Sequence, residues 1–165
     1  MASKRFVYRL EKVLEIKRQK EDEEKKLLGK LRQALEHEKI VKLQLEEQLE
    51  NVHIELKTKR LSGLLNIAEL RFYPQHIKNL ENKIKYQQLR IQELEIKIAE
   101  QENAVRLAMN ERKAYEKHKE NSHAEWLAEA DAEEARLLDE LATIKFARNL
   151  AERQAELELE PQGSD

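Results

Sequence analysis

Two Glu-x-x-His pairs, Glu50 with His53 and Glu120 with His123, are the spacings in this sequence most suggestive of chemistry. On a helix, positions three apart share a face. Paired in this way on facing helices, carboxylate and imidazole supply the ligands of di-iron centres in helical bundles. Two considerations weigh against such a site here. Five His among abundant Glu produce the spacing by chance. In the helical hairpin argued for below, His53 sits near the turn and faces the region of Asn82. That is some 40 residues, or roughly 60 Å of helix, from His123. His118 and His123 are five apart and point to different sides of a helix. No metal site is expected. The three Gly, at positions 29, 63 and 163, are isolated, so no loop cradles phosphate. With no Cys and few Ser, a supported nucleophile is hard to assemble, and a pair of helices encloses no pocket. The reading is of a non-enzymatic chain with no catalytic residues, no cofactor and no small-molecule substrate.

Composition points the same way. Of 165 residues, 39% are charged and only 5% aromatic, with three Gly and two Pro. A chain this rich in Glu, Lys, Leu, Arg and Ala forms long helices rather than a packed globule. A net charge of −2 exerts no overall pull on nucleic acid or an anionic surface, and interleaved Lys and Glu cancel any basic stripe. Absence of Cys fits a reducing compartment. No apolar run approaches the ~20 residues that span a bilayer or the core of a signal peptide. A soluble, cytoplasmic protein is expected.

The stretch from Ile77 to Tyr115 must organise whatever the chain does. Alternating steps of three and four give Ile77, Leu80, Ile84, Gln87, Ile91, Leu94, Ile98, Gln101, Val105, Ala108, Arg112 and Tyr115. Nine of these twelve are apolar or Ala, and no Gly or Pro interrupts them. This is a heptad seam, a narrow stripe pressed on a partner helix. The same count from Leu10 runs without a slip through Leu14, Lys17, Glu21, Glu24, Leu28, Leu31, Leu35, Glu38, Lys42, Leu45, Leu49 and Val52 to Leu56. Its apolar content fails over Lys17 to Glu24 and again at Glu38 and Lys42.

Ser62-Gly63 ends the first arm, since Gly supplies the left-handed closing conformation. Asn66 followed by Glu69 has capping-box spacing, so a helix restarts at Ile67. Pro74 kinks that helix or divides it from the next. A short link between two heptad arms predicts an all-α, long antiparallel two-helix coiled-coil hairpin with a short helical tip. Centring the turn on Asn66 to Leu70 makes facing residue numbers total roughly 135. Leu28 then faces Leu107, and Leu49 faces Tyr86 and Gln87. The polar gap at Lys17 to Glu24 falls beside Glu111 to His118, where the second seam also turns polar. The expected division is residues 1–61 as first coiled-coil arm, 62–76 as turn and apolar tip, 77–125 as second arm, 126–155 as C-terminal helical extension and 156–165 as an acidic disordered tail. The N-terminal helix is expected to begin near Phe6, with Ser3 as a possible cap. The extension, with Leu138, Leu141, Ile144 and Phe146, either projects beyond the first arm or folds back.

Three further surfaces carry information. The tip sequence Leu64 to Tyr73 is unusually apolar for a connection, as a helical cover over the coil's end or as a docking surface. Tyr86, Leu89 and Ile96 fall off the seam, as scattered surface residues or as a seat for a folded-back segment or partner helix. Charge divides, with +5 over Met1 to Lys20 and −7 over Ala124 to Glu160. Mutual attraction of neighbouring helices accounts for this more simply than a basic partner-binding arm.

The opening Phe6 to Glu23, the stretch Glu111 to Glu120 and the stretch Leu137 to Arg148 resemble the flagellar export protein FliJ family, as do the arm lengths and the Gly-containing turn. Pro74 and the acidic tail depart from it. The resemblance implies a coiled-coil component of the flagellar type III export apparatus, similar to the central stalk of rotary ATPases. Its partners would be the hexameric export ATPase, the export gate protein and export chaperones. Membrane contact would be peripheral, through those partners, at the cytoplasmic face of the inner membrane. By matching position, Phe6, Tyr8, Leu10, Leu138, Leu141 and Phe146 would lie near the ATPase ring, and Leu70, Phe72, Tyr73 and Ile77 near the gate. The alternatives are a generic dimeric coiled-coil scaffold and the stalk protein of a virulence-type secretion system. An intramolecular hairpin would be monomeric alone.

Overall fold

A computed structural model describes residues 5–159. The fold is all-α, with two long helices packed on one another: α1, Glu11–Ser62, and α2, Ile67–Leu159. The chain groups into two compact units, one formed by residues 12–113 and the other by the residues up to 11 together with those from 114 onward.

The unit of residues 12–113 is an antiparallel helical pair, and the heptad frame places its core. Every seam position from Leu14 to Leu56 and from Ile77 to Arg112 is buried or half-buried. Leu14, Leu28, Leu80, Ile91 and Ala108 are the most enclosed apolar members. Most of the polar seam residues pair across the interface instead of breaking it, while Lys42 pairs with Glu46 on its own helix. Arg112 and Lys25 both bond the carboxylate of Glu21, which is only 3% exposed. Lys17 reaches Glu111 at 2.8 Å, Gln101 donates to the Glu24 backbone carbonyl and carboxylate, and Gln87 does the same at Glu38. The gaps at Lys17 to Glu24 and at Glu38 thus meet polar residues of α2, and among the described residues no buried side-chain polar atom lacks a hydrogen-bond partner.

The turn follows its local chemistry closely. Gly63 has φ 69°, and the Leu64 amide donates to the Lys59 carbonyl while that of Gly63 donates to Arg60, the paired bonds that close a helix with a left-handed residue. The Asn66 side chain accepts from the Glu69 amide at 2.8 Å, and the Glu69 carboxylate accepts from the Asn66 amide at 3.1 Å. That reciprocal pair starts α2 at Ile67.

Three expectations are corrected. Of the two alternatives at Pro74, a kink or a division, division is excluded, because α2 runs through it. Buried Tyr73 and Leu80, on either side of Pro74, are held on the seam and keep the helix going despite the missing donor. Because α1 ends at Ser62 and α2 begins at Ile67, the turn is centred between them. Facing residue numbers therefore total roughly 125 to 134 rather than 135, as in Glu24 with Gln101 and Arg32 with Glu102. Finally, Arg5 to Tyr8 are not helical, and α1 starts only at Glu11. The suggested cap Ser3 lies outside the described residues. So do residues 160–165 of the expected acidic tail, whose first residues continue α2 as far as Leu159.

Candidate functional site

In the unit that contains both termini, the segment before α1, without regular secondary structure over residues 5–8, lies against α2. Phe6 and Tyr8 alternate with Val7 and Arg9, so every second side chain turns inward. Tyr8 is buried, and its hydroxyl lies 2.9 Å from Nδ1 of His118 and donates to the Tyr115 carbonyl at 3.3 Å. Phe6 meets the His123 ring edge-on at 4.9 Å between centroids and lies 5.9 Å from Trp126. Lys119 sits 5.9 Å from the Tyr8 ring centre and pairs with Glu11 at 2.6 Å. Phe6, Tyr8, Leu10, His118 and Ser122 border an open hollow. Val7 projects from this segment, 76% exposed. His123, one of the two histidines that suggested metal chemistry, is thus part of the seat of the N-terminal segment, together with His118. The period of two in Phe6-Val7-Tyr8 was the sequence signal for it, overshadowed by the heptads that follow.

Further along the same unit, every described residue from Asp131 to Glu156 is exposed. Leu138, Leu141 and Phe146 are all at least 60% exposed, with Ile144 similar. These residues do not form one stripe. Leu137, Leu141 and Ile144 share one side of α2, while Phe146 and Leu150 lie about 180° around it. A helix apolar on two opposite sides is suited to being enclosed. Of the residues expected near a ring, Tyr8 is enclosed, Phe6 half-enclosed and Leu10 partly exposed, whereas Leu138, Leu141 and Phe146 are open. The two groups are separate surfaces, since Leu138 lies about 18 Å of helix beyond Trp126.

At the turn, the residues expected near a gate also divide. Leu70 and Phe72 are 50% and 60% exposed, and Phe72 stacks on His76 at 5.4 Å. Tyr73 is buried, donates from its hydroxyl to Glu55 at 2.7 Å and lies beneath Lys59. The Glu55 carboxylate beside it raises the Tyr73 pKa. Ile77 is half-buried on the seam. Leu61, Leu64 and Ile67, all at least 75% exposed, belong to the same surface. Leu61 escaped the sequence reading because it belongs to a polar helical stretch. Tyr86, Leu89 and Ile96 are exposed at 58 to 63%. No described helix is long and apolar enough to cross a membrane.

Comparison with curated proteins and with solved structures gives no significant match. The family described as flagellar FliJ protein matches residues 6–151, from the seated Phe6 to within the exposed end of α2. With that match over nearly the whole chain, and with the paired helices and terminal stretches described above, the chain belongs to the FliJ family of flagellar export components.

Proposed function

We propose that this protein acts without catalysis to promote assembly or activity of the hexameric export ATPase, links that ring to the export gate and assists export chaperones. It works at the cytoplasmic face of the inner membrane. The observation that carries the reading is the end of α2, where residues 131–156 are exposed throughout and apolar on two opposite sides. A helix of that length and composition is marginal in water without a partner. A partner that surrounds it, as a ring does, would cover both sides at once, with Leu138, Leu141 and Phe146 among the contacts. The N-terminal residues Phe6, Tyr8 and Leu10 support the ring-proximal part of α2, Tyr8 from within and Leu10 at the surface. At the turn, Leu70 and Phe72 offer contact to the gate, while Tyr73 and Ile77 hold the turn in place behind them.

The test is the ATPase activity of the cognate hexamer with the full chain and with a chain ending at Arg136. Full-length protein should stimulate or assemble the hexamer, and the shortened one should not. Stimulation retained by the shortened chain would move the active surface to the N-terminal segment.

A further inference from the structure

The turn between α1 and α2 combines two properties that the rest of the paired helices keep apart. Its exposed apolar residues follow one another every few positions: Leu61 at 82%, Leu64 and Ile67 at 75%, Leu70 at 50% and Phe72 at 60% exposure. Its charge is basic. Between residues 57 and 71 there are Lys57, Lys59, Arg60 and Arg71 against Glu69 alone, a net of +3. That lone acid is already satisfied, since Lys59 holds Glu69 at 2.6 Å and also approaches Glu55 at 3.6 Å. Lys59 and the Asn66 amide together hold the Glu69 carboxyl below the usual carboxylate range. Lys57, Arg60 and Arg71 remain at the surface, with no ion pair to any described residue.

We infer that this turn is a lipid-contacting cap that inserts Leu61, Leu64, Ile67 and Leu70 into the interface of an anionic bilayer, with Lys57, Arg60 and Arg71 at the headgroups. Exposed aliphatic side chains flanked by Lys and Arg are the pattern of interfacial membrane binding. Each basic residue near an anionic surface adds attraction that decays within a Debye length. The exposed Phe72 beside them fits the same setting, since Phe as well as Leu lines the apolar face of interfacial segments. The turn is also stiff. Gly63, the capping pair at Asn66 and the Lys59–Glu69 ion pair fix the backbone, so ordering it at a surface costs little. The inference is independent of any contact with the ATPase, which would use the other unit.

The chain has no Cys, so a single Leu64→Cys in the full-length protein can carry an environment-sensitive fluorophore. Ala142→Cys, on the exposed end of α2, gives the comparison site. With vesicles of phosphatidylcholine containing phosphatidylglycerol, the label at 64 should brighten and shift to the blue while that at 142 does not. Vesicles of phosphatidylcholine alone should bind far less, and added salt should release the protein. Arg60→Glu with Arg71→Glu should weaken sedimentation with anionic vesicles roughly tenfold or more, and Leu64→Ser with Ile67→Ser should abolish insertion with unchanged helical circular dichroism. Absence of vesicle binding, or burial of the label at 142 in place of 64, overturns the proposal. Tip-dependent capture by a purified export-gate cytoplasmic domain without vesicle binding would also overturn it and make the cap a protein contact.

Discussion

The hydroxyl of Tyr8 and Nδ1 of His118 lie 2.9 Å apart, joining residues 110 positions distant in the chain. That contact holds a non-helical segment against α2 where a helix would otherwise begin. The Tyr8 carbonyl in turn accepts from the Glu11 amide, so the seat of the segment and the first turn of α1 are mechanically one feature.

Tyr8→Phe should loosen this segment without unfolding the paired helices. Loss of one net hydrogen bond costs about 1 kcal/mol. Amide exchange at Glu11 should accelerate, and emission of the lone Trp126 should move to the red as Phe6 leaves it. Unchanged exchange would show that the Phe6 contacts alone seat the segment.

Glu21 makes stability depend on pH with a definite sign. Lys25 and Arg112, which bond its carboxylate, lower its pKa below the ordinary 4.5. A carboxyl lowered by folding contributes fully above the unfolded value, and the contribution is lost as pH falls through the folded one. Glu111, lowered by Lys17, adds in the same direction. Melting temperature should therefore hold steady at neutral pH and drop in acid. Glu21→Gln should be less stable than the parent near neutrality and converge with it in acid. Arg112→Ala should cost about 1 to 3 kcal/mol at neutral pH.

The register can be tested within one molecule. Arg32 and Glu102 are exposed and 2.9 Å apart as an ion pair, so Cys at both positions carries spin labels without disturbing the seam. The labels should report a short distance that does not change with protein concentration. A distance that appears only on concentration would mean that the seam pairs between chains.

The two neighbouring aromatics at the turn should behave differently. Phe72→Ala should leave the melting temperature nearly unchanged, since substitutions at exposed positions are usually within about 0.5 kcal/mol. Tyr73→Ala should lower it clearly, because Tyr73 is 5% exposed and bonded to Glu55. If export falls with Phe72→Ala at unchanged stability, the turn has a contact function. Equal melting temperatures would contradict the placement of Tyr73.

Ending the chain at Arg136 should leave thermal stability nearly as it is. The residues removed whose side chains are described, Leu137 to Glu156, are all exposed. A large fall in melting temperature would show that this end of α2 is covered in the free protein.

What the sequence determined by itself was everything governed by local spacing. The three-four frame named the seam from Leu14 to Leu56 and from Ile77 to Arg112, and Gly63 with Asn66 and Glu69 marked the end of one helix and the start of the next, because caps and heptads act over a few residues. Even the polar gaps at Glu21 and Arg112 could be matched, since both lie on the frame. Tertiary structure decided what depends on distant partners. Pro74 carries a local signal to stop, but burial of Tyr73 and Leu80 against α1 outweighs it, and the turn and register shift with that outcome. Phe6 to Tyr8 could have continued α1, but the hydroxyl and ring of Tyr8 gain more from His118 and Tyr115 than a further helical turn would give. Helix propensity contributes tenths of a kcal/mol per residue, while a buried side chain with its bond contributes on the order of 1 kcal/mol or more, so the nonlocal contact prevails.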